Sequence, residues 1–138
     1  MSNVIKGEVQ FLKDRNLGFI HPDNVVIALR STMNQIMTCF VTSGHEHAMH
    51  LVRRLGGHIQ FHWDHTGAKN EPRPTPKSQE FGTWLIMIDR AISTAQEMAH
   101  RRAIGDVQSQ FMFIMSLTLG LIEDYGVIER QGYEVSKD

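Results

Sequence analysis

Six of the eight histidines in this 138-residue chain fall within residues 45–65. Imidazole nitrogens and carboxylate oxygens are ligands that zinc, iron and manganese accept in proteins. A hydrolytic metal site needs about three such ligands and an open position for water. The cluster therefore raises the hypothesis of a bound zinc or other divalent ion, and histidines on solvated polar faces are the alternative. The candidate ligands are His62, Asp64, His65, His47 and His50.

Two pairs of adjacent arginines, Arg53–Arg54 and Arg101–Arg102, are a second candidate for function. Guanidinium groups bind carboxylates and phosphates through parallel hydrogen bonds. Each pair also comes near the end of a predicted helix, where a cation stabilises the helix by complementing its dipole. The pairs thus predict a surface for phosphates or for an acidic partner, with helix stabilisation as the alternative.

The sequence lacks the patterns that mark nucleotide-dependent or nucleophilic catalysis. The adjacent glycines at 56–57 do not have the G-x-G-x-x-G spacing of a phosphate-binding loop. Cys39 lies in an apolar stretch, which is typical of a small buried side chain rather than a nucleophile. Apart from the metal hypothesis, we therefore expect no catalytic residues.

The first part of the chain combines strand and helix patterns. Alternating apolar and polar residues over 4–22, with a turn-like Asp14-Arg15-Asn16, predict a β-hairpin. Over 25–42 the apolar residues recur at helical spacing, although both ends of the segment are also strand-like. The spacing favours a helix through Thr38, capped by Asp23 or Asn24.

A capped helix and a further strand are predicted next. Ser43 and Glu46 have the S-x-x-E spacing of a capping box, in which the two residues satisfy each other's backbone N–H groups. The glycines at 56–57 predict the end of this helix. Apolar and polar residues then alternate over 58–64, which predicts a half-buried strand.

The second half of the chain has a helical pattern. After the proline-containing segment 66–78, which is typical of an exposed loop, an apolar stripe from Trp84 to Ala99 predicts an amphipathic helix. Gly105 is expected to close that helix. Asp106 is expected to cap a last helix, which Gly126 stops.

Together these elements predict a single α+β domain over residues 1–138. An antiparallel hairpin and a later strand pack with the capped helix, and two long amphipathic helices follow. The predicted parts are a β-rich half (1–65), the loop (66–78), a helical half (79–126) and a short tail (127–138).

The last predicted helix is apolar nearly all round. A helix with so wide an apolar surface needs cover on two sides, from its own domain and from a second subunit. We therefore expect a homo-oligomer. The residues expected at its interface are Phe111, Phe113, Met115 and Leu117.

A short string within the histidine cluster is similar to a known metal motif. Residues 60–67 read Gln-Phe-His-Trp-Asp-His-Thr-Gly and resemble the H-x-H-x-D-H-x-G motif of the metallo-β-lactamase family, with Gln60 in place of the first histidine. That family's fold needs a longer chain and further ligands downstream, where this chain has only His100.

The segment 6–23 resembles the opening hairpin of cold-shock domains, and 57–69 is loosely similar to their fourth strand. The resemblance implies an OB barrel that binds single-stranded nucleic acid, with Phe11 and Phe19 stacking on bases. Leu12 and Leu17 stand where that family has aromatic residues. An ordinary hairpin that buries the two phenylalanines is the alternative.

Composition restricts the class of protein. Lys and Arg number 14, Asp and Glu number 15, and the net charge of −1 gives no general attraction to nucleic acid or to anionic membranes. A single cysteine and a polar N-terminus indicate a reducing cytoplasm.

We therefore expect a non-enzymatic, oligomeric protein that binds another macromolecule, as a regulator or inhibitor of a larger complex. A protein or nucleoprotein partner is expected, and no membrane. The alternatives are a metal-dependent hydrolase that uses the 45–65 histidines and a single-stranded nucleic-acid binder.

Overall fold

The computed structural model describes residues 21–67 and 77–137, with side chains through residue 126. Every regular element in those ranges is an α-helix, so the prediction of an α+β domain is wrong for the part of the chain that can be tested. The hairpin expected over 4–22, including Phe11 and Phe19, lies outside the described residues apart from its last two positions. The helices are α1 (Pro22–Ser43), α2 (His45–Thr66), α3 (Phe81–His100) and α4 (Ile104–Lys137).

Helix α1 begins with a histidine cap rather than with the predicted Asp23 or Asn24 cap. The Nδ1 atom of His21 accepts a hydrogen bond of 3.2 Å from the backbone N–H of Asp23. Pro22 occupies the first turn, where its fixed φ suits a helix and its missing N–H costs nothing. The helix predicted through Thr38 is confirmed and continues to Ser43. Its buried stripe includes Val25, Val26, Leu29, Met33 and Ile36.

A single glycine separates α1 from α2. Gly44 has φ +87°, a backbone conformation that residues with a Cβ rarely adopt, and its N–H donates to the Phe40 carbonyl at 3.0 Å. Ser43 is the last residue of α1, and the residue that begins α2 makes no side-chain cap. The predicted Ser43–Glu46 capping box is therefore wrong, because the chain needs that position to turn between two helices.

Helix α2 passes straight through the glycines that were expected to end it, and the strand predicted over 58–64 belongs to the helix. The alternation over 58–64 was misleading because a helix that buries Ile59, His62 and Trp63 leaves the residues between them partly exposed. The same stripe begins with Ala48 and keeps helical spacing across the glycines. The fourth-strand resemblance over 57–69 fails for the same reason as far as Thr66.

Glycine 56 has a packing role in α2. A Cβ built on Gly56 would lie 3.4 Å from the Met115 sulfur and 3.9 Å from the Thr118 methyl group, so α2 and α4 approach closely there. Gly57 has no neighbour within 4 Å of such a Cβ, and it lies on the exposed side of α2. One glycine of the pair is therefore explained by packing, and the other is a mid-helix glycine without a steric reason.

The predicted helices of the second half are confirmed, but their boundaries differ. Gly105 lies inside α4 rather than closing α3, and Asp106 lies in the first turn of α4 rather than capping it. Gly126 does not stop the helix, which continues to Lys137. The turn between α3 and α4 is made instead by residues 101–103.

The four helices pack as an antiparallel bundle. Helix α1 lies beside α2 and α3, and α4 lies beside the same two helices. Arg30 contacts Asp89 while Phe40 contacts Phe81, so α1 and α3 run in opposite directions, as do α2 and α4. Helices α2 and α3 therefore run the same way on one diagonal, and the chain leaves α2 at one end of the bundle and enters α3 at the other.

Helix α1 is long and apolar enough to cross a membrane by length and composition, and it is the one helix of the described ranges that meets this test. The test is also met by core helices, and 39% of the relevant stretch is buried inside the bundle.

The apolar surface of α4 is largely covered within the chain. Phe111 and Leu117 are fully buried and Met115 is 5% exposed, whereas Phe113 is 37% exposed. Three of the four residues expected at a subunit interface thus lie in the core. The homo-oligomer stays a prediction, but it needs a different surface.

Candidate functional site

A groove of about 370 Å³ lies between the first turns of α1 and the last turn of α3. Val26 is buried in its lining, and Ile27 is 65% exposed, although a large aliphatic side chain is normally covered. We call this site the α1–α3 groove. Its lining residues are Asp23, Val26, Ile27, Gln96, Ala99, His100 and Arg102.

The α1 wall of the groove carries a carboxylate. The side chain of Asp23 is 49% exposed, and its Oδ2 atom is 3.9 Å from Nδ1 of His21. That nitrogen already accepts the Asp23 backbone N–H, so it has no proton to offer the carboxylate when the bond forms. Asp23 also lies in the first turn of α1, where its charge complements the helix dipole.

The α3 wall ends in a turn that places Arg102 in a left-handed conformation. The Arg102 N–H donates to the Ala99 carbonyl, and the Ala103 N–H donates to the Met98 carbonyl, each at 3.0 Å. This is the Schellman arrangement, whose left-handed position is usually glycine. Arg102 occupies it with φ +62°, the one positive φ of a non-glycine residue in the described ranges.

The two adjacent arginines in this turn have different surroundings. Arg101 forms an ion pair with Glu97 one turn earlier on α3. For the Arg102 guanidinium, the structure gives no hydrogen-bond or ion-pair partner among residues 21–67 and 77–126. Asp23 also forms no ion pair with it. The α3 wall thus presents an exposed cation to the groove, beside the imidazole of His100.

The lining is braced by Arg30, which joins α1 to α3. Its Nη1 atom lies 2.5 Å from Oδ1 of Asp89, and its Nη2 donates to Ser93 Oγ at 2.8 Å. Its Nε donates to Oε1 of Gln96 at 3.0 Å. Because that oxygen is engaged, the amide NH₂ of Gln96 is the part of the side chain that can contact a molecule in the groove.

Charge in the groove is therefore divided between its walls. A carboxylate lies on the α1 side and a guanidinium with an imidazole on the α3 side, separated by apolar side chains. A phosphate-rich ligand is disfavoured by the carboxylate. A surface that carries both charges around an apolar group fits the site best.

The candidate metal ligands do not come together. His62 is fully buried on the core side of α2, with its ring 5.3 Å from Phe111 and its Nε2 3.3 Å from Nε2 of Gln108. Asp64 and His65 are exposed, and they interact with Gln60 and Phe61 of their own helix. Across the described ranges no three His, Cys, Asp or Glu side chains could hold one ion.

The remaining candidate ligands are distant from His62 along α2. His50 precedes it by about 18 Å at 1.5 Å per residue. His47 lies one turn earlier still, with its Nδ1 3.2 Å from the Ser43 carbonyl. The metal hypothesis has no support from geometry, and metal binding itself stays a question for elemental analysis.

The first arginine pair lies in the middle of α2 rather than at a helix end. Arg53 and Arg54 are both exposed there, because the helix does not stop at the glycines. Burial lowers the pKa of His58, and the positive charge of Arg54 lowers it further. His58 Nε2 lies 3.1 Å from Oγ1 of Thr32, which joins α2 to α1. The His58–Thr32 contact is part of the packing between α1 and α2, and a partner-binding role for Arg53 and Arg54 stays a prediction.

The opposite end of the bundle is closed by Asp124 of α4. Its carboxylate accepts hydrogen bonds from Ser78 Oγ at 2.5 Å, from the Gln79 N–H at 3.1 Å and from the Trp84 indole at 2.8 Å. The Ser78 bond, followed by those from Trp84 and Gln79, lowers the pKa of Asp124, although burial raises it. This cluster joins α4 to the start of α3.

Sequence reasoning found Arg102 but missed Gln96 on the same wall and the residues of the α1 wall. Ile27 offered a signal, because an isoleucine next to Arg30 and Ser31 on the helix surface does not belong to the buried stripe of α1. Asp23 and Gln96 gave none, since each reads as an ordinary polar helix residue.

Comparison with known proteins finds no matching family, no matching curated protein and no matching solved structure.

Proposed function

We propose that this is a non-enzymatic, oligomeric cytoplasmic protein that works through protein–protein contacts as a regulator or inhibitor of a larger complex, with the α1–α3 groove as its contact site. The observation that carries the proposal is the Arg102 guanidinium, which has no partner among residues 21–67 and 77–126 and lines an apolar groove whose other wall holds Asp23. Protein interfaces are enriched in arginine and in apolar anchors at their centre.

The two charges favour a protein partner over a nucleic acid. Binding to nucleic acid depends on neutralising several phosphates with clustered cations. The groove has one arginine and one histidine, and the Asp23 carboxylate opposes any phosphate between them. A protein surface can satisfy both walls at once. Single-stranded binding through Phe11 and Phe19 stays an untested prediction.

Binding is also favoured over catalysis by the chemistry of the lining. Nucleophilic catalysis needs a hydroxyl or thiol within hydrogen-bond reach of a base. Among the described residues, no serine, threonine or cysteine lines this groove. His100 is the one imidazole among the described residues of its lining, with no nucleophile beside it. These groups suit recognition of a partner.

Photo-crosslinking tests the proposal. A benzophenone amino acid at Ile27, which is 65% exposed on the groove, should form an adduct with a discrete protein in intact cells. The matched control is Val41 on the same helix, which is 82% exposed near the other end of the bundle. Mass spectrometry identifies the adduct. Equal adducts from both positions, or none from position 27, would contradict the proposal.

Arg102→Gly separates binding from folding. Glycine adopts the left-handed conformation without the penalty that a Cβ brings, so the free energy of unfolding should rise by about 1 kcal/mol. The same change removes the guanidinium from the groove. We expect a more stable protein whose adduct from position 27 is lost, as measured by urea unfolding and crosslinking of the same variant. An adduct yield equal to that of the chain with Arg102 would show that this residue does not contribute to partner binding.

A further inference from the structure

We infer that the partner of the α1–α3 groove is a second copy of this chain, bound by twofold symmetry. The inference rests on the proposed function, since it names the partner of the same site. In a twofold interface one patch meets itself, so that each residue of one wall faces a residue of the other wall in the partner. The patch must therefore be complementary to itself.

The charges of the groove meet that condition. The α1 wall carries Asp23 and the α3 wall carries Arg102, and no ion pair joins them within a chain over the described residues. When two copies face each other, Asp23 of each chain meets Arg102 of the other. The same ion pair therefore forms twice, once on each side of the axis.

The apolar part of the patch is complementary in the same way. Ile27 is both a lining residue and a protruding one, because 65% of its surface is exposed. In the dimer, Ile27 of each chain can enter the partner's groove against Val26 and Ala99. A mixed-charge rim around an apolar centre is the usual layout of a protein interface.

Helix ends strengthen this arrangement. Asp23 lies at the N-terminus of α1 and Arg102 just beyond the C-terminus of α3. A twofold pairing sets each positive helix end near a partner's negative one. A different partner would have to reproduce both features on an unrelated surface. The second copy supplies them by symmetry alone.

Complementary charge reversal tests the dimer in the full-length chain by sedimentation velocity. Asp23→Arg and Arg102→Glu should each raise the dimer dissociation constant by about tenfold, since each homodimer then sets like charges together twice. An equimolar mixture of the two variants should recover wild-type affinity, because both contacts are opposite in sign again. The double variant should also recover it.

Control variants separate this interface from general effects. Arg101→Glu reverses a neighbouring charge that does not line the groove, and Val41→Asp adds a charge to an exposed apolar position elsewhere on α1. Neither should change the dissociation constant. Ile27→Asp should abolish the dimer while the helix content measured by circular dichroism stays unchanged. This variant tests the interface even if a charge-reversed variant fails to fold.

Two results would overturn the inference. One is a wild-type chain that stays monomeric at high concentration. The other is a dimer that the charge reversals do not weaken or that their mixture does not restore. A monomer whose position 27 cross-links to a different protein overturns the dimer and leaves the proposed function standing. Absence of any adduct overturns the proposed function, whatever the charge reversals show.

Discussion

At the scale of single residues, the two tryptophans differ in whether the indole N–H has an acceptor. Trp84 is 1% exposed, and its Nε1 donates to Asp124 at 2.8 Å. Trp63 is 3% exposed, and its buried Nε1 has no hydrogen-bond partner among the residues that the structure describes. An unpaired buried donor costs about 1–3 kcal/mol, whereas a bond to a charged acceptor contributes about 1.5–3 kcal/mol.

Replacing each tryptophan by phenylalanine should therefore have unequal effects. Both changes lose similar ring surface, but Trp84→Phe also removes a charge-assisted bond while Trp63→Phe removes an unsatisfied group. We expect Trp84→Phe to lower the free energy of unfolding by about 2 kcal/mol more than Trp63→Phe. Urea unfolding at neutral pH measures the difference. Equal losses would show that Trp63 has an acceptor in solution, such as a buried water.

Lowering the pH should reduce the difference in free energy of unfolding between Trp84→Phe and Trp63→Phe. The pKa of Asp124 is lowered in the fold, first by its Ser78 bond, so its contribution to stability is complete above the ordinary value of 3.8. The contribution is lost as pH falls through the lower pKa of the folded state. Unfolding of the two variants followed below pH 3.8 should therefore converge.

At the scale of helices, the glycine pair in α2 gives the sharpest contrast between sequence and fold. A Cβ at position 57 would meet nothing within 4 Å, and the residue is exposed in a continuous helix. Gly57→Ala should raise the free energy of unfolding by about 0.5–1 kcal/mol, because alanine has the higher helix propensity. Thermal unfolding checks this. The same change at Gly44, where φ is +87°, should be destabilising instead.

The sequence was informative where one periodicity ran without interruption. The stripe that includes Trp84 and Ile88 predicted α3, and the apolar run after Asp106 predicted α4. The prediction failed in α2, where two glycines suggested a stop and a short alternation suggested a strand. Local signals favoured that reading. The decisive interaction is packing against α4, which Gly56 permits. This packing joins residues that are far apart in the sequence, so a short stretch of sequence does not reveal it.

The candidate site was predictable only in part, for a related reason. Arg102 stood out as one of a pair of arginines, and its partner-binding role was proposed from residue type alone. Its neighbours across the groove, Asp23 and Ile27, come from the other end of the described chain. They meet Arg102 because α1 and α3 are antiparallel neighbours, a relation that depends on the whole bundle. The prediction of a metal site at the histidine cluster failed for the opposite reason. The histidines are close in sequence, but a single helix spreads them along its length and around its surface.

At the scale of the whole molecule, the bundle consists of two helical hairpins, α1–α2 and α3–α4, that must be held to each other. Arg30 links them through three polar contacts, because it bonds Asp89, Ser93 and Gln96 from across the interface. Its side chain is 22% exposed, so removing it leaves a partly buried carboxylate without its cation. Such a loss is more costly than the loss of a surface pair.

Arg30→Met should therefore lower the free energy of unfolding by about 2–3 kcal/mol, while Arg101→Met should change it by less than about 0.5 kcal/mol. Arg101 is the matched control because its ion pair with Glu97 lies within one helix and is 68% and 64% exposed. The dependence of unfolding on urea should keep its slope in both variants if the hairpins unfold together. A cost for Arg30→Met no larger than that for Arg101→Met would mean that apolar packing alone joins the hairpins. The contacts of Arg30 would then not stabilise the arrangement of α1 and α3, the two helices that line the α1–α3 groove.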